Sequence, residues 1–215
     1  MAQRDYDDVY FPLTIPFPLQ LFGQSSANLF IGINGWVSLT NDPSTEFDNT
    51  PLPASALPDT CFVNYWSDLY VYNGTQQGIY YQIDGLEGSR TASFEWYTST
   101  YMTPNGYYHF VSTFYENNPG AVTYDFFQLT PQKPSLNEAF GTVGVQRYDT
   151  NQSAQYSFDN NLPVHQNIQV VYNPASNSFT AAGCSDRASK VLMASSFQFI
   201  SIPVQTFTPS PLSIS

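Results

Sequence analysis

Apolar and polar residues alternate in short runs along most of the chain, and Gly, Pro and Asn separate the runs. A period of two puts every second side chain on one face of a strand, so the pattern predicts β structure. Leu13-Thr14-Ile15-Pro16-Phe17 alternates in this way, but Pro12, Pro16 and Pro18 remove ladder donors. Residues 5 to 24 are therefore expected as an extended edge strand without regular pairing. Runs at 29 to 33 and 36 to 39 flank Asn34-Gly35, a dipeptide that tolerates two positive φ angles and predicts a type I′ hairpin.

Further strands are expected at 62 to 65, 78 to 83, 91 to 97, 107 to 115 and 121 to 128, with turns at Asn73-Gly74, Asn105-Gly106 and Asn117-Asn118-Pro119-Gly120. Others follow at 141 to 146, 154 to 158, 167 to 172, 178 to 181 and 191 to 202, with a hairpin turn at Asn173-Pro174-Ala175-Ser176-Asn177. Residues 41 to 60 carry prolines and acids without periodicity and are expected as a long surface loop, the kind of element that often binds. Pro131 and Pro134 mark a loop or one helical turn at 130 to 138. No repeat of fixed period is evident. The expectation is one all-β domain over 1–203, an antiparallel β-sandwich-like fold with long loops and little helix. Residues 204–215 are a Pro/Ser-rich tail or final edge strand.

Composition agrees: 17% of the residues are aromatic and only 11% charged, as in a β protein with a large apolar interior. The six Lys and Arg residues are scattered singly, which excludes a row of phosphate contacts and hence nucleic acid as a partner. A net charge of -11 repels an anionic membrane surface and favours cations and basic partners. No stretch approaches the roughly 18 apolar residues of a spanning helix, so no membrane insertion is expected. The start Met1-Ala2-Gln3-Arg4-Asp5 has no apolar signal core, so secretion would require a targeting segment absent from this chain.

Cys61 and Cys184 lie in no zinc-binding spacing. They either pair or stay as two buried thiols. A bridge would stabilise the fold by roughly 4 to 5 kcal/mol through the long loop it closes, and the lysine-poor, Tyr- and Asn-rich composition favours it.

Several segments in order resemble a known family. Leu13-Thr14-Ile15-Pro16-Phe17-Pro18-Leu19-Gln20-Leu21-Phe22-Gly23 leads to Gly32-Ile33-Asn34-Gly35-Trp36-Val37-Ser38-Leu39, then to Asn64-Tyr65-Trp66-Ser67-Asp68-Leu69 and Gly78-Ile79-Tyr80-Tyr81. Phe94-Glu95-Trp96, the run from Val111 through Gly120 to Phe126, and Gly141-Thr142-Val143-Gly144-Val145-Gln146 follow. This series resembles the nidogen-type (NIDO) β domain and related bacterial and fungal surface-protein modules. Cys61, where the family often has an apolar residue, and a longer loop at 42 to 59 depart from the pattern. The resemblance implies an extracellular β module of matrix, adhesion or host-interaction proteins, with no shared catalytic residue and with ligands that differ between members.

Candidate chemistry is sparse. Asp68, with Asp59, Asp84 or the acids at 42 to 48, would supply oxygens for calcium, although no D-x-D-x-D-G loop is present, and turn capping is the plainer role for Asp68. No other cofactor is expected. Glu95 with Glu116 or Asp125 would be a glycosidase pair, but alternation turns Glu95 to the face opposite Phe94 and Trp96, as for a solvent-facing residue. His109 lies on a strand, His165 lies in a loop, and no G-x-S-x-G elbow exists, so a Ser-His-Asp hydrolase is not expected. Tyr70, Tyr72, Tyr97, Tyr101, Tyr107 and Tyr108 fall near strand ends or loops, where rings can stack on sugars or on a protein partner. The sequons Asn73-Gly74-Thr75 and Asn151-Gln152-Ser153 are no more than chance spacing supplies.

The leading expectation is a non-catalytic, extracellular or cell-surface binding module. Its partner is an extracellular protein or glycan, engaged through loops and exposed aromatics. The alternatives are a carbohydrate-binding module or lectin, and a self-associating subunit of an extracellular assembly whose edge strands pair.

Overall fold

The computed structural model describes residues 4–129, 140–159, 164, 166–183 and 198–200, and these form an all-β fold of two antiparallel sheets without a helix. The strands are β1 (Tyr6–Asp7), β2 (Tyr10–Leu21), β3 (Gln24–Gly32), β4 (Trp36–Ser38), β5 (Thr60–Trp66), β6 (Leu69–Val71), β7 (Gly78–Asp84), β8 (Thr91–Thr100), β9 (Thr103–Tyr115), β10 (Val122–Leu129), β11 (Thr142–Arg147), β12 (Gln152–Phe158), β13 (Ile168–Asn173), β14 (Ser178–Gly183) and β15 (Gln198–Phe199). The smaller sheet runs β12-β11-β5-β4-β3-β2. The larger runs β1-β6-β8-β9-β10-β13-β14, with β7 lying beyond β6 along the same edge of β8 and β15 pairing β7.

The main core fills the space between the sheets. Phe11, Phe17, Leu29, Ile31, Phe62 and Val145 of the smaller sheet meet Phe94, Trp96, Phe110, Phe114, Tyr124 and Phe126 of the larger. The rings of Trp96 and Phe110 stack at 5.3 Å, and Phe62 meets Phe114 edge-on at 4.8 Å. Such pairs add to the area they bury. The two-residue period of the strands thus delivers one face of each sheet to the shared core, as the alternation predicts.

Most expected strands form, with four differences. First, residues 5 to 24 are split at Asp8, whose φ of 48° makes a corner. β1 joins the larger sheet, while β2 is the edge of the smaller and pairs with β3 on both sides of the Pro16–Pro18 break, more regularly than the prolines suggest. Second, Asn34-Gly35 does not form a type I′ turn, because Gly35 is left-handed (φ 86°) and Asn34 is not. Gly32 pairs Trp36 across a three-residue loop, and the Gly35 N–H donates to the Gly32 carbonyl at 3.2 Å. This is a turn followed by a glycine bulge.

Third, the β8–β9 hairpin turns at Tyr101-Met102 and not at Asn105-Gly106, which lie inside β9. A turn at Asn105-Gly106 would set Trp96 opposite Tyr115 and send Phe110 and Phe114 to the other face. Burial of those rings overrides the local turn signal. Fourth, β6 forms where only the Trp66-Ser67-Asp68-Leu69 motif stands out in the sequence. The segments 130–139, 160–163, 184–197 and 201–215, which include the expected helical turn, most of the 191 to 202 strand and the tail, lie outside the described residues.

The loop after β4 is not a free binding loop. It covers a second apolar cluster on the outer face of the smaller sheet, where Ala54 and Leu57 pack on Trp36, Cys61, Val63 and Trp66. Trp66 Nε1 donates to the Glu46 carbonyl at 3.0 Å, and the Gln146 amide accepts from Ala54 N and donates to the Ala54 and Pro58 carbonyls at 2.7 to 3.0 Å. These bonds satisfy loop backbone that burial would otherwise leave unpaired.

Gly35 is required twice in its turn, by its positive φ and because a Cβ would lie 2.0 Å from the Tyr65 carbonyl oxygen. Gly35→Ala is therefore expected to lower stability by about 3 kcal/mol or more in urea unfolding. Retention of wild-type stability would show that this approach is not required.

Candidate functional site

The end of the molecule around Asn34 gathers the acids. The buried Asn34 amide donates from Nδ2 to Asp8 Oδ1 at 2.9 Å and to the Glu46 carbonyl at 3.3 Å, while its Oδ1 accepts from Leu69 N at 3.1 Å. One carboxamide thus ties the β3–β4 turn of the smaller sheet to β6 of the larger, to the Asp8 corner and to the covering loop. As a result, one carboxylate oxygen each from Asp7, Asp8 and Asp68 lies within 4.8 Å of the others.

Burial and then the charges of Asp8, Asp7 and Asp48 push the Asp68 carboxyl up to about 6. Burial, followed by the Asp8 charge, also raises Asp7. The expected partners of Asp68 are thus corrected. Asp59 accepts from Thr60 Oγ1 and from Asp149 N of the turn after β11 at 2.8 and 2.7 Å, and Asp84 accepts from Gly85 N of its own turn at 2.8 Å, so neither joins the trio. From the 42 to 48 loop, Asp48 contributes its charge and not a carboxylate of the trio. One oxygen from each of the three carboxylates supplies three of the six to eight oxygens that calcium takes.

Of the six tyrosines singled out in the sequence, five reach the surface and separate into two groups. Tyr108 is the exception: it points into the core with 1% exposure, 5.6 Å from the Tyr65 ring, because it shares the inward face of β9 with Phe110. The first group lies at the end of β6 and at the β8–β9 turn. Here the Tyr70 ring is 4.5 Å from Tyr72 and 5.6 Å from Tyr101. The second group lies on the outward face of the larger sheet. Tyr97 and Tyr107 hold nearly parallel rings 5.7 Å apart, and His109 meets Tyr97 and Phe127 at 5.5 and 5.0 Å.

His109 Nε2 and Glu95 Oε1 share a hydrogen bond of 2.7 Å within this second group. Glu95 faces away from Phe94 and Trp96 as expected, but it is only 8% exposed, so the reading of it as a solvent-facing residue is corrected. Burial, then Glu95 and Tyr97, raises the Tyr80 phenol beside it. Phe127 and Tyr80 were not among the residues singled out; the alternation in Asp125-Phe126-Phe127 and Ile79-Tyr80 is the signal that could have found them. The other acids of the glycosidase pairings are engaged elsewhere: Glu116 accepts from Arg90 Nε and Nη2 at 2.9 and 2.6 Å, and Asp125 accepts from Gln169 at 2.6 Å.

Cys61 is a free thiol buried in the second apolar cluster, and Cys184 and His165 lie outside the described residues. Burial, with the charges of Asp42 and Asp59, raises the Cys61 thiol well above its ordinary value. Thiolate is the reactive form. Native Cys61 should therefore resist alkylation at mildly alkaline pH and react once the chain is unfolded; rapid labelling of the folded protein at Cys61, read by peptide mass, would contradict this.

A carboxyl raised in the folded state contributes stability below its ordinary value and loses it as pH rises through about 6. Asp68→Asn should therefore be more stable than the wild type at neutral pH and above, by about 1 kcal/mol once solvent screening is allowed for. The difference should vanish below about pH 4. Urea midpoints across this range are the check, and a gap independent of pH would remove the electrostatic cause.

No helix among the described residues is long and apolar enough to cross a membrane. Comparison with curated proteins and with solved structures finds no match. A family model described as NIDO related matches residues 1–181, from the N-terminal edge strand to β14. Strands β1 to β13, the glycine-bulged Asn34 turn and the Trp66-Ser67-Asp68 corner all lie within that match, and the chain belongs to the NIDO-related family, whose domain is of an extracellular type.

Proposed function

We propose that this domain is an extracellular binding module that engages a macromolecular partner through the outward aromatic face of its larger sheet. The observation that carries the reading is the group Tyr97, Tyr107, His109 and Phe127, half-buried on a sheet whose other face is already filled by the core. Aromatic side chains that present an apolar body and a polar tip to solvent are the usual anchors of protein interfaces. Membership of the NIDO-related family supports an extracellular setting. The module is non-catalytic in this reading, since Glu95, Glu116 and Asp125 are each engaged by a neighbouring side chain. The loop after β4 serves the fold, which leaves the aromatic face and the hairpin ends as the binding elements.

A carbohydrate partner is the second reading, and one observation favours it. The Glu95–His109 pair brings a carboxylate and an imidazole beside the parallel Tyr97 and Tyr107 rings. Rings stack on the C–H faces of a sugar while the polar pair takes its hydroxyls.

The test is binding of the purified domain to arrays of glycans and of extracellular matrix proteins. Tyr97→Ala with Tyr107→Ala should weaken binding of any captured partner by about 5- to 30-fold or more. Leu86→Ala, an exposed change at the β7–β8 turn, should leave it intact. Capture by glycans alone would select the second reading. No capture on either array, or equal capture by the double variant, would sink the proposed function.

A further inference from the structure

The other tyrosine group has chemistry of its own. Tyr70, Tyr72 and Tyr101 form a continuous ring surface, and the Tyr72 hydroxyl donates to the Thr100 carbonyl at 3.1 Å, which fastens it to the β8–β9 turn. Tyr101 and Met102 at the turn are 53% and 81% exposed. Met102 also has a φ of 60°, a conformation that an unbranched apolar residue rarely holds. Asp7 lies directly across from Tyr70 in the β1–β6 ladder, and Asp5 accepts from Asn73 N at 2.7 Å beside the same ring.

Asp5 and Asp7 place negative charge beside these rings, and no ion pair among the described residues neutralises it. The ion pairs among the described residues are Arg90–Glu116, Glu95–His109 and Arg147–Asp149, and none involves Asp5, Asp7, Asp8 or Asp68. Arg4 occupies the same end of the chain, and its guanidinium lies 5.1 Å over the Tyr6 ring. A guanidinium on a tyrosine face therefore already occurs at this end.

We infer that the surface formed by Tyr70, Tyr72, Tyr101 and Met102, bordered by Asp5 and Asp7, docks a basic segment of a partner protein. The tyrosine faces and the two carboxylates attract the Lys or Arg head groups of that segment, and Met102 covers their aliphatic stems. The inference rests on the binding-module reading and adds to it the charge of the partner. Charge complementarity selects the occupant: an acidic segment would be repelled, and a neutral sugar would leave the carboxylates without a counter-charge.

The experiment titrates the domain against fluorescently labelled Arg-Gly and Lys-Gly repeat peptides, with a Glu-Gly peptide as the control. The basic peptides should bind, more weakly as salt is raised, and the acidic one should not. Tyr101→Ala should weaken binding about 2- to 5-fold and Tyr70→Ala with Tyr101→Ala about 10-fold. Asp5→Asn with Asp7→Asn should also weaken it. The same charge change at the opposite end of β8, Asp84→Asn with Glu87→Gln, should leave it within about 2-fold, because screening confines the attraction to nearby charges.

Equal losses from the two charge-neutralised pairs, or unchanged binding by Tyr101→Ala, would reduce the attraction to net charge and overturn the site. Binding to phosphatidylcholine vesicles without binding to the peptides would overturn it in favour of a lipid head group. A domain that captures array ligands through Tyr97 and Tyr107 but no basic peptide would sink this inference and leave the proposed function standing. A domain that binds neither would sink both.

Discussion

The buried carboxamide of Asn34 holds four pieces of the chain in place at once. Its bonds to Asp8, the Glu46 carbonyl and Leu69 N connect the smaller sheet, the corner between β1 and β2, the covering loop and β6. With both its donor and its acceptor used, it satisfies a group whose burial would otherwise be costly. It can occupy that place because Gly35 turns left-handed beside it and lets the chain run against the Tyr65 carbonyl. A glycine and an asparagine in one tight loop thereby position the trio of Asp7, Asp8 and Asp68 and, through β6, the Tyr70 and Tyr72 rings.

The same joint has an electrostatic cost. Bringing Asp7, Asp8 and Asp68 within 4.8 Å of one another raises Asp68 to about 6, and Asp48 adds to the repulsion. Structure built for stability alone would place a basic residue there, yet the salt bridges of the described residues lie elsewhere. Unfavourable charge held by a well-satisfied scaffold is common where a surface meets a partner. Beside it stand the exposed Tyr101 and Met102, so the acidic and the apolar parts of the tip are continuous.

The two outer faces of the sandwich are used differently. On the smaller sheet, Trp36 and Trp66 are covered by the protein's own loop, which explains why β5 is buried along its whole length and why its sequence, Thr60 to Trp66, does not alternate cleanly. On the larger sheet, described residues leave Tyr97, Tyr107 and His109 half-buried at the surface. The Trp66-Ser67-Asp68 motif spans this division, since Trp66 pins the covering loop through Glu46 while Asp68 joins the acids.

Alternation and turn residues alone were enough to read the all-β class, most strand positions, the edge character of β2 and the face of Glu95 opposite Phe94 and Trp96, because each depends on the two-residue period of a strand and on local φ preferences. The order of the segments also carried the family. Contacts between residues distant in the chain were not legible. The β8–β9 turn moved to Tyr101-Met102 because burying Phe110 and Phe114 outweighs an Asn-Gly signal, and Tyr108 became core by the same face rule. Asp68 found Asp7 and Asp8 in place of Asp59 and Asp84, since the corner at Asp8, where the chain passes from β1 of one sheet to β2 of the other, decides which segments meet. Local periodicity says which way a side chain points, but only the packing of two sheets says what it points at.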